Sequence, residues 1–178
     1  MRIIGGKYKR RNIHPPSNIT VRPTTDLAKE SLFNILNNHF NFEAITVLDL
    51  FAGTGNISLE FASRGAINVY SVDTDPICAK FLRSQAEKFL IDSIKVVRDD
   101  VHHFLSICKI NFDIIFADPP YDHKKIDNVH KMVFENALLK EGGWLIIEHG
   151  AETKLDDFHG FFEKRKYGRV HFSMFAYP

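Results

Sequence analysis

The chain has 178 residues, 44% hydrophobic and 25% charged, with a net charge of +1. At roughly 100–200 residues per domain, this is enough chain for one globular unit with its own core. It carries no run of about 18 apolar residues and no charged-then-apolar leader, so a cytoplasmic protein with no membrane contact is expected.

Cys78 and Cys108 show no Cys-x-x-Cys or metal-ligand spacing and read as buried free thiols. The histidines are scattered, and the one adjacent pair, His102-His103, would point in different directions on a helix, so no metal site is expected. The small net charge hides an asymmetry. Residues 1–25 contain Arg2, Lys7, Lys9, Arg10, Arg11 and Arg22 and no acid, whereas the other 153 hold 17 basic and 22 acidic side chains. A basic arm on a mildly acidic body fits either a polyanion contact or a solvated tail.

In chain order, residues 1–6 and 7–13 are expected to pair as a short hairpin around Gly5-Gly6, ended by Pro15-Pro16. Thr24 or Thr25 then caps a helix starting near Asp26, with Leu27, Leu32, Ile35, Leu36 and Phe40 as its apolar stripe. The free N–H groups at that helix start, beside Thr25 and Arg22, suit a ligand carboxylate. The expected organisation is a single domain over 1–178, with an arm and helix in 1–44 and an α/β core in 45–178.

The core opens with residues 45–50, a nearly continuous apolar strand interrupted by Asp49, of the kind buried on both faces of a parallel sheet. It runs into Phe51-Ala52-Gly53-Thr54-Gly55 and a helix ending at Arg64-Gly65. A strand, a Gly-x-Gly turn and a helix form a nucleotide-binding crossover. The next strand, 67–72, ends in Asp73, twenty residues after Gly53, where an acid can accept from both ribose hydroxyls. A helix over 75–90 follows, with Ile77, Phe81, Leu82 and Phe89 facing inward. A strand over 94–97 then leads to Asp99, read as the cap of a helix over 101–108, and Asp100, read as an acceptor for an adenine amino group. Residues 112–117 form another buried strand, and a helix carrying Val129, Met132, Val133, Phe134 and Leu138 is closed by Glu141-Gly142-Gly143. A strand over 144–148 and two strands joined at Gly168 finish the chain, the last one entering antiparallel. The basic residues Lys164, Arg165, Lys166 and Arg169 fit a second RNA contact or, the reading preferred, the outward faces of an edge hairpin.

The strand at 112–117 delivers Asp118-Pro119-Pro120-Tyr121 to a sheet tip, where ligands bind in open α/β sheets. This set suits a base carrying an exocyclic amine. The lone pair of such an amine is delocalised into the ring, and two acceptors against its N–H bonds can localise that pair and aim it. Asp118 and the Pro119 carbonyl are the candidate acceptors, and Pro120 has no competing N–H. Tyr121 can stack on the base, an interaction worth about 1–3 kcal/mol.

A dinucleotide site wants a third glycine where this chain has Ser58. The loop after Asp49 suits an uncharged thioether and a methionine backbone better than a pyrophosphate, which favours S-adenosylmethionine, with S-adenosylhomocysteine as product. Its sulfonium-borne methyl is already electrophilic, so neither a metal nor a protein nucleophile is required.

Four segments in register, Arg2-Ile3-Ile4-Gly5-Gly6-Lys7, Arg22-Pro23-Thr24-Thr25-Asp26, Leu48-Asp49-Leu50-Phe51-Ala52-Gly53-Thr54-Gly55 and Asp118-Pro119-Pro120-Tyr121, resemble the RsmD family of bacterial methyltransferases. The resemblance implies a seven-stranded Rossmann-like class I S-adenosylmethionine-dependent methyltransferase fold, mostly parallel, with an N-terminal hairpin and helix. It also implies cofactor contacts along Phe51 to Gly55 and at Asp73, and catalysis at Asp118 to Tyr121. The implied reaction is methylation of a guanine N2 in 16S ribosomal RNA, within an assembling small ribosomal subunit met by the basic arm, by an enzyme taken to be a monomer. Three other readings stay open: a DNA adenine-N6 or cytosine-N4 methyltransferase, a non-catalytic RNA-binding protein, and, third, a nicotinamide-dependent oxidoreductase.

Overall fold

The structure, a computed structural model, describes residues 1–16, 24–119 and 123–177. Its core is a series of strand–helix units: β1 (Thr46–Leu50) and α2 (Asn56–Ser63), β2 (Asn68–Asp73) and α3 (Pro76–Phe89), β3 (Ile94–Arg98) and α4 (Val101–Ile107), β4 (Phe112–Ala117) and α5 (His123–Glu135). Helix α1 (Asp26–Asn37) precedes them, and β5 (Leu139–His149), β6 (Phe161–Tyr167) and β7 (Val170–Phe175) follow. The seven strands lie in the order β3-β2-β1-β4-β5-β7-β6. Strands β1 to β5 are parallel, and β7 is antiparallel to both of its neighbours. This is the expected mostly parallel sheet with an antiparallel last strand. The order reverses between β1 and β4, so the crevice opens at their C-terminal ends.

Alternation along the strands sorts side chains to two covers. Val47, Ile114, Phe116 and Ile146 face α1, α2 and α3, where they pack with Leu32, Phe33, Leu59, Phe61 and Leu82. Leu48, Leu50, Ile115, Ala117 and Ile147 face α4 and α5, against Leu105, Ile126, Val129 and Val133. Most of these side chains are completely buried, each contributing about 1.5–3 kcal/mol of transfer free energy.

Several local expectations are corrected. The arm is not two strands around Gly5-Gly6. One bridge, Arg2 to Asn12, closes a loop whose chain reversal falls over 6–10, with Lys9 N–H on the Gly6 carbonyl and Arg11 N–H on the Tyr8 carbonyl. Gly6 instead lies flat on the end of α2 at φ +74°, where a Cβ would sit 1.9 Å from the Ser63 carbonyl oxygen. Leu27 and Ile77 are exposed at 69% and 43%, because each sits in the first turn of its helix, ahead of the turns that meet the sheet. Leu138 and Glu141-Gly142-Gly143 do not close α5. Strand β5 already begins at Leu139 and reaches its main register on β4 after a shift, pairing Leu139 with Phe112 and then Trp144 with Ile114. Cys108 is half-buried, unlike the buried Cys78.

Strand β6 is one of the two sheet edges, and its Lys164 and Arg165 pair with Asp156 and Glu163 on the protein itself. No helix among the described residues is long and apolar enough to cross a membrane.

Candidate active site

Three backbone positions turn β1 into α2 in left-handed conformation: Phe51 at φ 59°, Gly53 at 52° and Gly55 at 77°. Helix α2 has no side-chain cap, and its N-cap is Gly55 itself. A Cβ on Gly55 would fall 2.3 Å from Leu82 Cδ1, so the second glycine is demanded by the packing of α3 as well as by its φ. Across the loop, Asp73 Oδ2 accepts from the Gly53 N–H at 2.7 Å and Oδ1 from the Asp75 N–H at 2.8 Å. The Asp73 carboxylate is thus fixed at the tip of β2 beside the loop, with lone pairs to spare for hydroxyl donors.

At the next tip, Asp100 rather than Asp99 caps α4. Asp99 still belongs to the ladder, its N–H on the Asp73 carbonyl, and its carboxylate meets His103 Nδ1 at 2.8 Å. Asp100 Oδ1 accepts from the N–H groups of His103 and His102, which hold its carboxyl below the usual carboxylate range. That oxygen is committed to the helix; only Oδ2 remains for a ligand.

Three further acids gather on the α1–α2 side of the sheet. Asp49 pairs in register with Phe116, and Phe116 with Ile146. One pleat beyond that row come Asp118 and Glu148, on adjacent strands and on the same face. Asp49 is 2% exposed and accepts from Ser58 Oγ, which also meets Ser71 Oγ at 2.7 Å. Burial pushes its carboxyl up to about 7, with Asp73 and Glu148 adding to the rise and the Ser58 bonds opposing it. Burial also lifts Asp118 well above its ordinary value, with Glu148 and then Asp49 reinforcing it, and raises Glu148 against the hydrogen bond from Thr24. Pro119 is buried beside Asp118.

A chain of polar contacts runs from this point to the arm. Glu148 Oε2 accepts from Thr24 Oγ1 at 2.7 Å, the Thr24 carbonyl accepts from Asn56 Nδ2 at 3.1 Å, and Asn56 Oδ1 accepts from Lys29 Nζ at 2.7 Å. The Lys29 ammonium, 1% exposed, also donates to the Arg2 carbonyl at 2.7 Å and lies 3.4 Å from Glu60 Oε2. All three of its protons therefore have an acceptor. Burial still lowers the Lys29 pKa, with Glu60 opposing that shift. Glu60, itself completely buried, takes the N–H groups of Ile4 and Gly5 at 2.8 Å each and Arg64 Nε at 2.8 Å. Thr54 Oγ1 of the glycine loop touches Met1 Sδ at 3.4 Å.

The crevice thus brings together Asp49, the loop from Phe51 through Ala52, Gly53 and Thr54 to Gly55, Asp73, Asp118 and Pro119. Thr25 caps α1, accepting from the Ala28 N–H at 3.2 Å. Arg22, Pro120 and Tyr121 lie outside the described residues. Of the arm's cations, Arg2 pairs with Asp26 at 3.2 Å, Arg11 lies 4.9 Å above the Phe89 ring, Lys7 is 5.3 Å from the Tyr8 ring, and Lys9 and Arg10 are exposed. Sequence reasoning missed Lys29, Asn56, Glu60 and Glu148, and read Thr24 only as an alternative cap for α1. Glu148 carried the same signal as Asp49 and Asp118, an acid in an otherwise apolar strand. Lys29 sits one turn before Leu32 and Phe33 and two before Leu36, on their face of α1.

The family described as conserved hypothetical protein 95 matches residues 1–176. The putative rRNA methyltransferase YlbH of Bacillus subtilis is 33% identical over 90% of this chain and 88% of its own length. Ribosomal RNA small subunit methyltransferase D of Buchnera aphidicola is 30% identical over 83% and 75%. The structure of the putative methyltransferase yhhF from Escherichia coli superposes with a TM-score of 0.86 at 26% identity, covering 98% of this chain and 96% of that one. The sheet order, the antiparallel β7 and these relatives lead to one assignment: the chain belongs to the family of ribosomal RNA small subunit methyltransferase D and has the class I S-adenosylmethionine-dependent methyltransferase fold.

Proposed function

We propose that this protein methylates the exocyclic N2 amine of a guanosine in 16S ribosomal RNA. In this reading it acts in the cytoplasm, as a monomer, on an assembling small subunit. The observation that carries the reading is Asp118, half-buried beside the buried Pro119 at the tip of β4 and one strand from the glycine loop. Fixed acceptors at that place have an amine to hold.

The cofactor is S-adenosylmethionine, and the residues fit it. The loop from Phe51 to Gly55 presents backbone without bulk, and Asp73 is oriented by two backbone N–H groups toward a ribose diol. Asp100 Oδ2 is assigned to the adenine amine. Thr25 at the start of α1, with Arg22, is assigned to the amino-acid carboxylate. When bound, the cofactor supplies an electrophilic methyl on a sulfonium.

The remaining work falls to the chain. The target guanosine leaves its stack to reach the crevice. Asp118 and the Pro119 carbonyl accept from the two N2 hydrogens, so the nitrogen lone pair points at the methyl, and Tyr121 stacks on the base. Orientation and exclusion of water supply most of the acceleration. Pro120 keeps a competing N–H away from the amine. Once methylated, the nitrogen is acidic and loses its proton without a dedicated base. Arg2, Lys7, Lys9, Arg10 and Arg11 meet RNA phosphates.

The test is tritiated methyl transfer to small subunits from cells lacking the enzyme, with free ribosomal RNA and duplex DNA in parallel. Label recovered as N2-methylguanosine is the expected result. Label on DNA adenine or cytosine would overturn the substrate, and bound cofactor with no transfer to any of the three would favour a non-catalytic role.

A further inference from the structure

Asp118 and the Pro119 carbonyl account for the two hydrogens of an amine; Glu148 is left over. It stands on the adjacent strand, one pleat past the Phe116–Ile146 pair and on the same face as Asp118. Its carboxylate is held at one end only, since Oε2 takes the Thr24 hydroxyl, while Oε1 has no hydrogen-bond partner among the described residues. No cation among them pairs with it: the buried ammonium of Lys29 is two side chains away and committed to Glu60, Asn56 and Arg2. A nearly buried, acceptor-only group without a cation is costly unless donors come to it. Thr24 is itself anchored by Asn56, and Asn56 by Lys29, so the free oxygen is presented in a fixed direction.

We propose that Glu148 is the specificity-determining residue of this site, accepting the ring N–H that adjoins the target amine. The inference rests on the guanine-N2 reading above. The chemistry follows from the edges of the bases. In guanine the N2 amine is flanked by N1–H, a second donor. In adenine the N6 amine is flanked by the bare N1, and in cytosine the N4 amine by the bare N3. In their ionised forms, two carboxylates side by side complement the first edge and set an oxygen lone pair against a nitrogen lone pair in the other two. A site built to receive a hydrogen bond rejects an analogue that lacks the donor far more strongly than a merely apolar pocket does.

The probe is RNA in which the modified guanosine, once located, is replaced by 2-aminopurine, which keeps the 2-amino group and has no N1–H. Wild-type enzyme is expected to methylate it at least about 100-fold more slowly than the guanosine RNA. In Glu148→Gln the side-chain amide can donate to the bare N1, so the ratio between the two RNAs should shrink at least about tenfold, with cofactor affinity unchanged. Three results would overturn the proposal: equal wild-type rates on both RNAs, which needs no variant; a Glu148→Gln enzyme slowed equally on both, which would make Glu148 only an anchor for Thr24; or an unchanged ratio at full activity. Failure of the guanine reading itself looks different, because wild type would then leave no label on guanosine at all.

Discussion

The two faces of the sheet are packed by opposite means. Toward α4 and α5 the strands offer Leu48, Leu50, Ile115 and Ile147 to an apolar cover. Toward α1 and α2 the apolar rows give way at the C-terminal ends to Asp49, Asp118 and Glu148, and the cover facing them holds Ser58, Asn56, Lys29 and Glu60, all buried. One face spends its burial on stability. The other accepts the cost of desolvated charge in order to hold groups in fixed directions, and so the crevice belongs to that face.

The largest break in this comparison comes from Asp118→Ala. Turnover should fall at least about a hundredfold, because the amine loses its orientation, while S-adenosylmethionine affinity in a titration stays within a few fold. Equal turnover in mutant and parent would remove Asp118 from the reaction. Because that carboxyl is partly desolvated and crowded by Glu148 and Asp49, Asp118→Asn should raise the thermal midpoint at neutral pH as it lowers activity, a trade of stability for function.

Next comes Lys29→Met. It leaves buried Glu60 with Arg64 as its remaining cation and strips the Asn56 and Arg2 oxygens of their donor, and should cost up to about 3–5 kcal/mol in urea unfolding. Lys29→Met with Glu60→Gln should recover part of that loss by removing the buried charge, although Glu60 takes the Ile4 and Gly5 N–H groups on separate oxygens and the Gln oxygen can keep only one of them. If the double variant were no more stable than the single, the cost would lie in packing and the lost N–H partner rather than in charge. On the dry face, Ile115→Ala should cost about 2–4 kcal/mol by leaving a cavity and leave kcat and KM nearly unchanged, the converse of Asp118→Asn.

The difference between the faces also explains what the sequence disclosed. Near-continuous apolar runs announced β1, β4 and β5, and the Gly-x-Gly turn and the acids at Asp73 and Asp118 announced the crevice, because local chemistry at a strand end is written in consecutive residues. The polar network was not legible, since its members come from five separate places and Lys29, Asn56 and Glu60 look individually like surface residues. Only the fold makes them neighbours. The same limit placed the helix cap at Asp99 instead of Asp100. Either acid can cap a helix, and the extension of β3's ladder to Asp99, a contact with β2, decides which one does.

The smallest prediction concerns pH and sets the faces against each other. Asp49 has its carboxyl raised from 3.8 to about 7 by burial. The folded protein therefore binds a proton more tightly than the unfolded chain between those values, and stability falls as pH rises through that window. On the other face, burial lowers the pKa of His130 and His149 below the ordinary 6.5. Each has a backbone carbonyl 2.8 Å from one ring nitrogen, His159 for His130 and Gly150 for His149, and His149 Nε2 also meets Ser173 Oγ at 2.8 Å. These rings charge more readily once unfolded, so their contribution is lost as pH falls below about 6.5. The two trends partly cancel in the parent, which should show a shallow stability profile between about pH 5 and 7. Asp49→Asn removes that residue's share of the first trend, while Asp118 and Glu148, raised likewise, keep theirs. Its stability should gain on the parent's as pH rises across that range and exceed it at pH 8 by about 1–3 kcal/mol. A variant profile parallel to the parent's would mean that Asp49 titrates alike in both states and that the Ser58 hydroxyl alone satisfies its charge.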